Sequence, residues 1–164
     1  MDLSNLSNAT PVPMKRFPPG RQGVLLPPDD RGTAALGICL YTASKRWVVA
    51  LQKAAHLLVK VAGAGALPGR TELWAPPCSA DDWRFLVAAW QDVLGPFDGL
   101  TCSRRRQHAR GGLTLLLTRQ GEALALVKLR TEGDGGLDVE QALVVLDGPL
   151  LDATAESLGS EARP

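Results

Sequence analysis

Along the chain the spacing of apolar residues is irregular at first, then helical, then alternating. Residues 1–20 mix Ser, Asn and Pro and end in Phe17-Pro18-Pro19-Gly20. Such a composition buries too little apolar surface to offset chain entropy, so a disordered arm is expected there. Val24 to Pro28 reads as a short extended piece and Ala34 to Tyr41 as a second apolar run between turn signals. Ser44 can cap a helix in which Trp47, Leu51, Ala54, Leu58 and Val61 recur at three- and four-residue steps until Gly63. Ser79-Ala80-Asp81-Asp82 has the pattern of a cap, and Trp83, Leu86, Val87, Trp90 and Leu94 then fall on one face before Gly95-Pro96. Trp83 and Trp90 on one face read as a core stripe in preference to a ligand platform.

From Phe97 the period becomes two. A strand is expected over 98–104, then a basic loop through Gly112, a strand over 113–119, a turn at Gln120-Gly121 and a strand over 122–130. After the Gly-rich loop of residues 131–136, Val139, Ala142, Leu143 and Leu146 predict a short helix near 137–147 that Asp147-Gly148-Pro149 stops. The fold class expected is α+β: a small antiparallel sheet, mainly residues 98–130, packed by that helix and by the two N-terminal helices. The divisions are a disordered arm over 1–20, a mainly helical extension over 21–97, a lobe over 98–151 and a disordered tail over 152–164.

Composition narrows the class. A chain of 164 residues has room for about one core, and 45% hydrophobic with 21% charged residues excludes fibrous and wholly disordered proteins. A net charge of +1 gives no global field, so any electrostatic preference is local. Charge is nonetheless segregated. Residues 98–130 carry seven basic groups against Asp98 and Glu122, whereas residues 131–164 carry eight acidic groups against Arg163. Gln52, Lys53, His56 and Lys60 interrupt the most apolar stretch, which excludes a membrane span, and no secretory signal is visible; a cytoplasmic protein without a membrane role is expected. Cys39, Cys78 and Cys102 have neither the number nor the spacing of a disulfide framework or a zinc site.

The candidate chemistry lies in the alternating segment. The order strand, basic glycine-containing loop, strand, tight turn, strand ending Ala125-Leu126-Val127-Lys128-Leu129-Arg130, loop, helix with Glu140 resembles the amino-terminal lobe of protein-kinase-like phosphotransferases, closest to the aminoglycoside and choline kinase type. The resemblance covers about residues 98–150. It implies that Lys128 holds nucleotide phosphates, that Glu140 holds Lys128, and that ATP is the cofactor. Arg110, Gly111 and Gly112 occupy the place of the phosphate-covering turn. That loop departs from the family's G-x-G-x-x-G, because Arg104, Arg105, Arg106 and Arg110 fill it and its glycines come last.

A complete kinase also needs a catalytic-loop aspartate and magnesium ligands. His56 and His108 both precede Lys128, so no H-x-D-x-x-x-x-N follows it, and no catalytic residue or metal site is assigned. The reading is a truncated or degenerate nucleotide-lobe protein that does not transfer phosphate alone. A lobe without its larger neighbour leaves an apolar face open, so self-association or a partner chain is expected, with Leu143, Leu146, Leu150 and Leu151 contributing. The rival class is a non-enzymatic binding module whose Arg104–Arg110 loop docks on nucleic acid or on an acidic protein partner. Neither histidine has a triad or ligand partner at a diagnostic spacing, and His56 reads as structural.

Overall fold

The alternation after Phe97 builds strands, as its period of two requires. The computed structural model describes residues 10–19, 23–41, 45–105, 112–131 and 137–145. Strands β4 (Gly99–Arg105), β5 (Gly112–Arg119) and β6 (Glu122–Thr131) pair antiparallel in chain order. Gln120 and Gly121 join β5 to β6 with φ of 54° and 76°, the positive-φ geometry whose twist matches that of the strands it connects.

Strands from the N-terminal half widen this sheet. β1 (Val12–Phe17), β2 (Val24–Leu26) and β3 (Thr71–Trp74) join it, and β7 (Leu137–Val145) closes the other side. The order is β3-β1-β2-β4-β5-β6-β7, with every neighbouring pair antiparallel. Residues 12–17 are therefore a strand and no part of a disordered arm. Val12 and Met14 are buried towards one face and Phe17 towards the other. Arg16 clamps the edge strand β3 by a two-point ion pair with Glu72, Nη2 to Oε1 at 2.5 Å and Nε to Oε2 at 3.0 Å.

Two further expectations are corrected. Residues 137–145 do not form a helix: they form β7, whose register against β6 shifts between Lys128 and Arg130. Val139 and Leu143 fit either period, and β6 decides between them. A ten-residue strand without an outer neighbour would leave a long row of backbone donors and acceptors unpaired. Glu140 accordingly lies on a strand. The run from Ala34 to Tyr41 is not extended either; most of it belongs to α1 (Arg31–Cys39). Asp30 caps α1 by accepting the Thr33 N–H at 3.0 Å. Its small residues let it press onto the sheet: a Cβ at position 37 would collide with Thr101 and Leu26, and one at position 32 with the Gly121 backbone.

α2 (Arg46–Ala62) and α3 (Ala80–Leu94) occupy the two amphipathic runs. Lys45 stands at the N-cap of α2 without a side-chain cap bond, and Ser44, for which a cap was expected, lies outside the described residues. Ser79 caps α3, its Oγ accepting the Asp82 N–H at 3.2 Å. The core lies in two layers. Trp83, Leu86, Val87 and Trp90 of α3 pack on Leu100, Cys102, Leu115, Leu117, Val127 and Leu129 across the sheet, with Trp74 edge-to-face against Trp83. On the opposite face α1 buries Ala34, Ala35 and Ile38 against Val24 and Leu26. Each fully buried aliphatic side chain of this size contributes about 1.5–3 kcal/mol.

α2 stacks outside α1 and is attached by its polar side. Gln52 Nε2 donates to the carbonyls of Ile38 and Tyr41, both at 2.8 Å, and His56 Nδ1 donates to the Ala35 carbonyl at 2.9 Å. The neighbouring helix thus adds side-chain donors at the end of α1, where the Ile38 carbonyl also accepts the Tyr41 N–H at 3.1 Å. Ala55 and Val59 are the residues of α2 that are buried. The stripe of Trp47, Leu51, Ala54, Leu58 and Val61 faces away from the body. Among the described residues no helix is long and apolar enough to cross a membrane.

Candidate functional site

Strand alternation sorts the residues of β4, β5 and β6 onto two faces. Leu113, Leu115, Leu117, Val127 and Leu129 turn into the layer beneath α3. The positions between them carry hydroxyls and a lysine. One row runs Val24, Ser103, Thr114, Lys128, Ala142 across five strands, each residue register-paired with the next. Val24 is buried in the α1 layer, so this row belongs to that face. Ser103 is buried, Thr114 half-buried and Lys128 exposed, which takes the row from beside the helices out into solvent.

The row sits near the end of the sheet where the β4–β5 connection lies. Two residues further along, Arg105 pairs with Gly112, Gly112 with Arg130, and Arg130 with Asp138. Arg104 pairs with Leu113 in the row between. The backbone thus gathers positions 104, 105, 128 and 130, all basic, within three successive rows. Gly112 lies among them, at the start of β5. Arg110 and Gly111 lie outside the described residues, as does the rest of the loop from residue 106.

Lys128 and Glu140 fall on neighbouring strands. Lys128 is opposite Ala142, and the register shift lies between Lys128 and Arg130, alongside residue 140. The helix that the kinase resemblance requires for Glu140 is absent from this segment, and the Glu140 side chain is outside the described residues. Leu143 lies on β7, whereas Leu146, Leu150 and Leu151 are outside the described residues. Ser103 and Thr114 escaped the sequence reading, though the alternation Thr101-Cys102-Ser103 against Leu113-Thr114-Leu115 already places a hydroxyl on every second position.

The opposite end of the sheet holds an open cleft of about 340 Å³, lined by Asp29, Asp30, Arg31, Asp98, Gln120 and Gly121 among others. Two of its carboxylates already have structural work. Asp30 Oδ2 accepts the Thr33 hydroxyl at 2.5 Å while Oδ1 caps α1, and both oxygens of Asp98 accept the Gln120 N–H at 2.9 Å. Among the described residues no group of three His, Cys, Asp or Glu side chains could hold a metal ion. Compared with protein-family models, with curated proteins and with solved structures, the chain matches none of them.

Proposed function

We propose that the β4–β5 end of the sheet is a phosphate-binding surface of the kind found in kinase-like nucleotide lobes, with Lys128 as its reaching cation and ATP as its ligand. The observation that carries this reading is the row Ser103–Thr114–Lys128, set two residues from Gly112 and flanked by Arg104, Arg105 and Arg130. A lysine ammonium and hydroxyl donors are groups that a polyphosphate needs. The apolar Leu126, two residues before Lys128 and on the same face of β6, lets its stem lie on the strand while the ammonium stays in water. The proposal concerns phosphate binding alone. Glu140 is left without the helix-borne orienting role, since its segment is strand.

Isothermal titration with a non-hydrolysable ATP analogue, adenosine and inorganic triphosphate tests the reading. The analogue and triphosphate bind, adenosine binds weakly, and Lys128→Ala weakens both phosphate ligands about ten-fold, as expected for one charge-assisted hydrogen bond. Equal affinity of wild type and Lys128→Ala would sink it. A duplex DNA arm separates the rival: binding that falls steeply with salt and ignores Lys128→Ala assigns the arginines to a nucleic-acid module instead.

A further inference from the structure

We infer that α2 is a membrane-surface docking element, whose outward stripe lies on an anionic lipid bilayer without crossing it. The inference is independent of the phosphate reading and starts from which residues of α2 the fold leaves uncovered. Trp47 is 66% exposed, Leu51 50%, Leu57 64%, Leu58 42% and Val61 75%. At 100° per residue these positions and Ala54 form one continuous strip along the whole helix. An exposed apolar face of this extent marks an interaction surface.

Charge says what covers it. Arg46, Lys53 and Lys60 are spaced by seven residues and so line one flank of the strip from end to end, and all are exposed. Lys45 precedes them, and Arg31 reaches the C-terminal end of α2, its Nη1 donating to the Val61 carbonyl at 3.0 Å. The helix contains no Asp or Glu. Two copies packed antiparallel through this strip would set the basic flanks against each other, which disfavours a second copy. A flank of one sign beside Trp, Leu and Val is the pattern of an interfacial helix on anionic lipid, the lysines reaching out to headgroups while the strip enters the acyl boundary. The attachment of α2 supports the same reading. Gln52 and His56 spend the polar residues of its inner side on α1 carbonyls, which holds the helix flat on the body with the strip outward. This revises the sequence expectation that membranes play no part.

Vesicle binding by the full chain tests the inference, with Trp47 as a built-in reporter. Of the four tryptophans, Trp74, Trp83 and Trp90 are at most 3% exposed, so a change in emission on adding vesicles reports Trp47. With phosphatidylglycerol–phosphatidylcholine vesicles the emission shifts to the blue, brominated acyl chains quench it, and the protein co-sediments. Trp47→Phe abolishes the spectral change and keeps co-sedimentation. The double variant Lys53→Gln, Lys60→Gln, with unchanged circular dichroism, lowers partitioning about 25-fold, at about five-fold per cation. Lys128→Ala leaves partitioning unchanged. Absence of binding to these vesicles, or equal binding to pure phosphatidylcholine, overturns the inference. So does a dimer in sedimentation that Leu51→Asp dissociates in the absence of lipid, which would make a second copy the occupant.

Discussion

Cys78 shows how a single residue's surroundings override a simple rule. It precedes the Ser79 cap of α3, and the positive end of a helix ordinarily favours a thiolate. Burial opposes this, and the Asp82 carboxylate adds a like charge, so together they raise the Cys78 thiol above the ordinary thiol range. The thiolate is the nucleophile, so a raised value means slow alkylation at pH 8 and a rate that keeps climbing past pH 9. Iodoacetamide labelling read by mass spectrometry is expected to modify exposed Cys39 first, Cys78 slowly and fully buried Cys102 on unfolding. A Cys78 rate that levels off below pH 9 would show that neither burial nor Asp82 governs it. None of this is legible in the sequence, where the three cysteines differ in nothing but position.

Among the elements, α2 separates what a pattern shows from what it hides. The three- and four-residue recurrence of Trp47, Leu51, Ala54, Leu58 and Val61 gives the helix and its length, but the side that is covered is the other one. Periodicity records apolar positions. It is silent about the carbonyls of Ala35, Ile38 and Tyr41, to which Gln52 and His56 donate. Gln52→Ala removes a donor shared by two carbonyls, and a loss of about 1–3 kcal/mol is expected from urea unfolding followed by circular dichroism. Ser79→Ala in α3 costs about 1 kcal/mol by loss of the cap alone. If Gln52→Ala were neutral, α2 would be held by Ala55 and Val59 and by little else. β7 failed for a different reason: Val139 and Leu143 satisfy both periods, and the unpaired edge of β6 is a tertiary fact.

For the whole molecule, the sheet divides at its weakest seam. β2 and β4 share two register pairs, Val24 with Ser103 and Leu25 with Cys102, whereas β4 and β5 share seven. The seam is reinforced from above. Thr101 Oγ1 donates to the Leu25 carbonyl at 2.6 Å, and Gly37 of α1 sits against Thr101 and Leu26. Gly37→Ala drives a methyl into both side chains and is expected to cost about 1–3 kcal/mol. Native-state hydrogen exchange should quicken at the β2 amides well before those of β5, and uniform acceleration would refute the seam. The β4–β5–β6 part of the sheet was readable because residues 98–130 make their contacts with near neighbours in sequence. The strands at 12–17, 24–26 and 71–74 were harder, since each is short and finds its partner far along the chain.

That distance also sets a timetable. The Leu25 carbonyl receives its hydrogen bond from a residue 76 positions later, so it is synthesised well before its partner exists. At about 5–20 residues per second the ribosome takes roughly 4–15 seconds to get from one to the other. Until Thr71–Trp74 is made and β3 can pair with β1, β1 and β2 are a two-stranded ribbon carrying Val24, Leu25 and Leu26, and such a ribbon is marginal in water. The first-made part of the sheet is thus among the last to be completed, and a nascent chain paused between Leu26 and Gly99 should be the form that chaperones capture most readily.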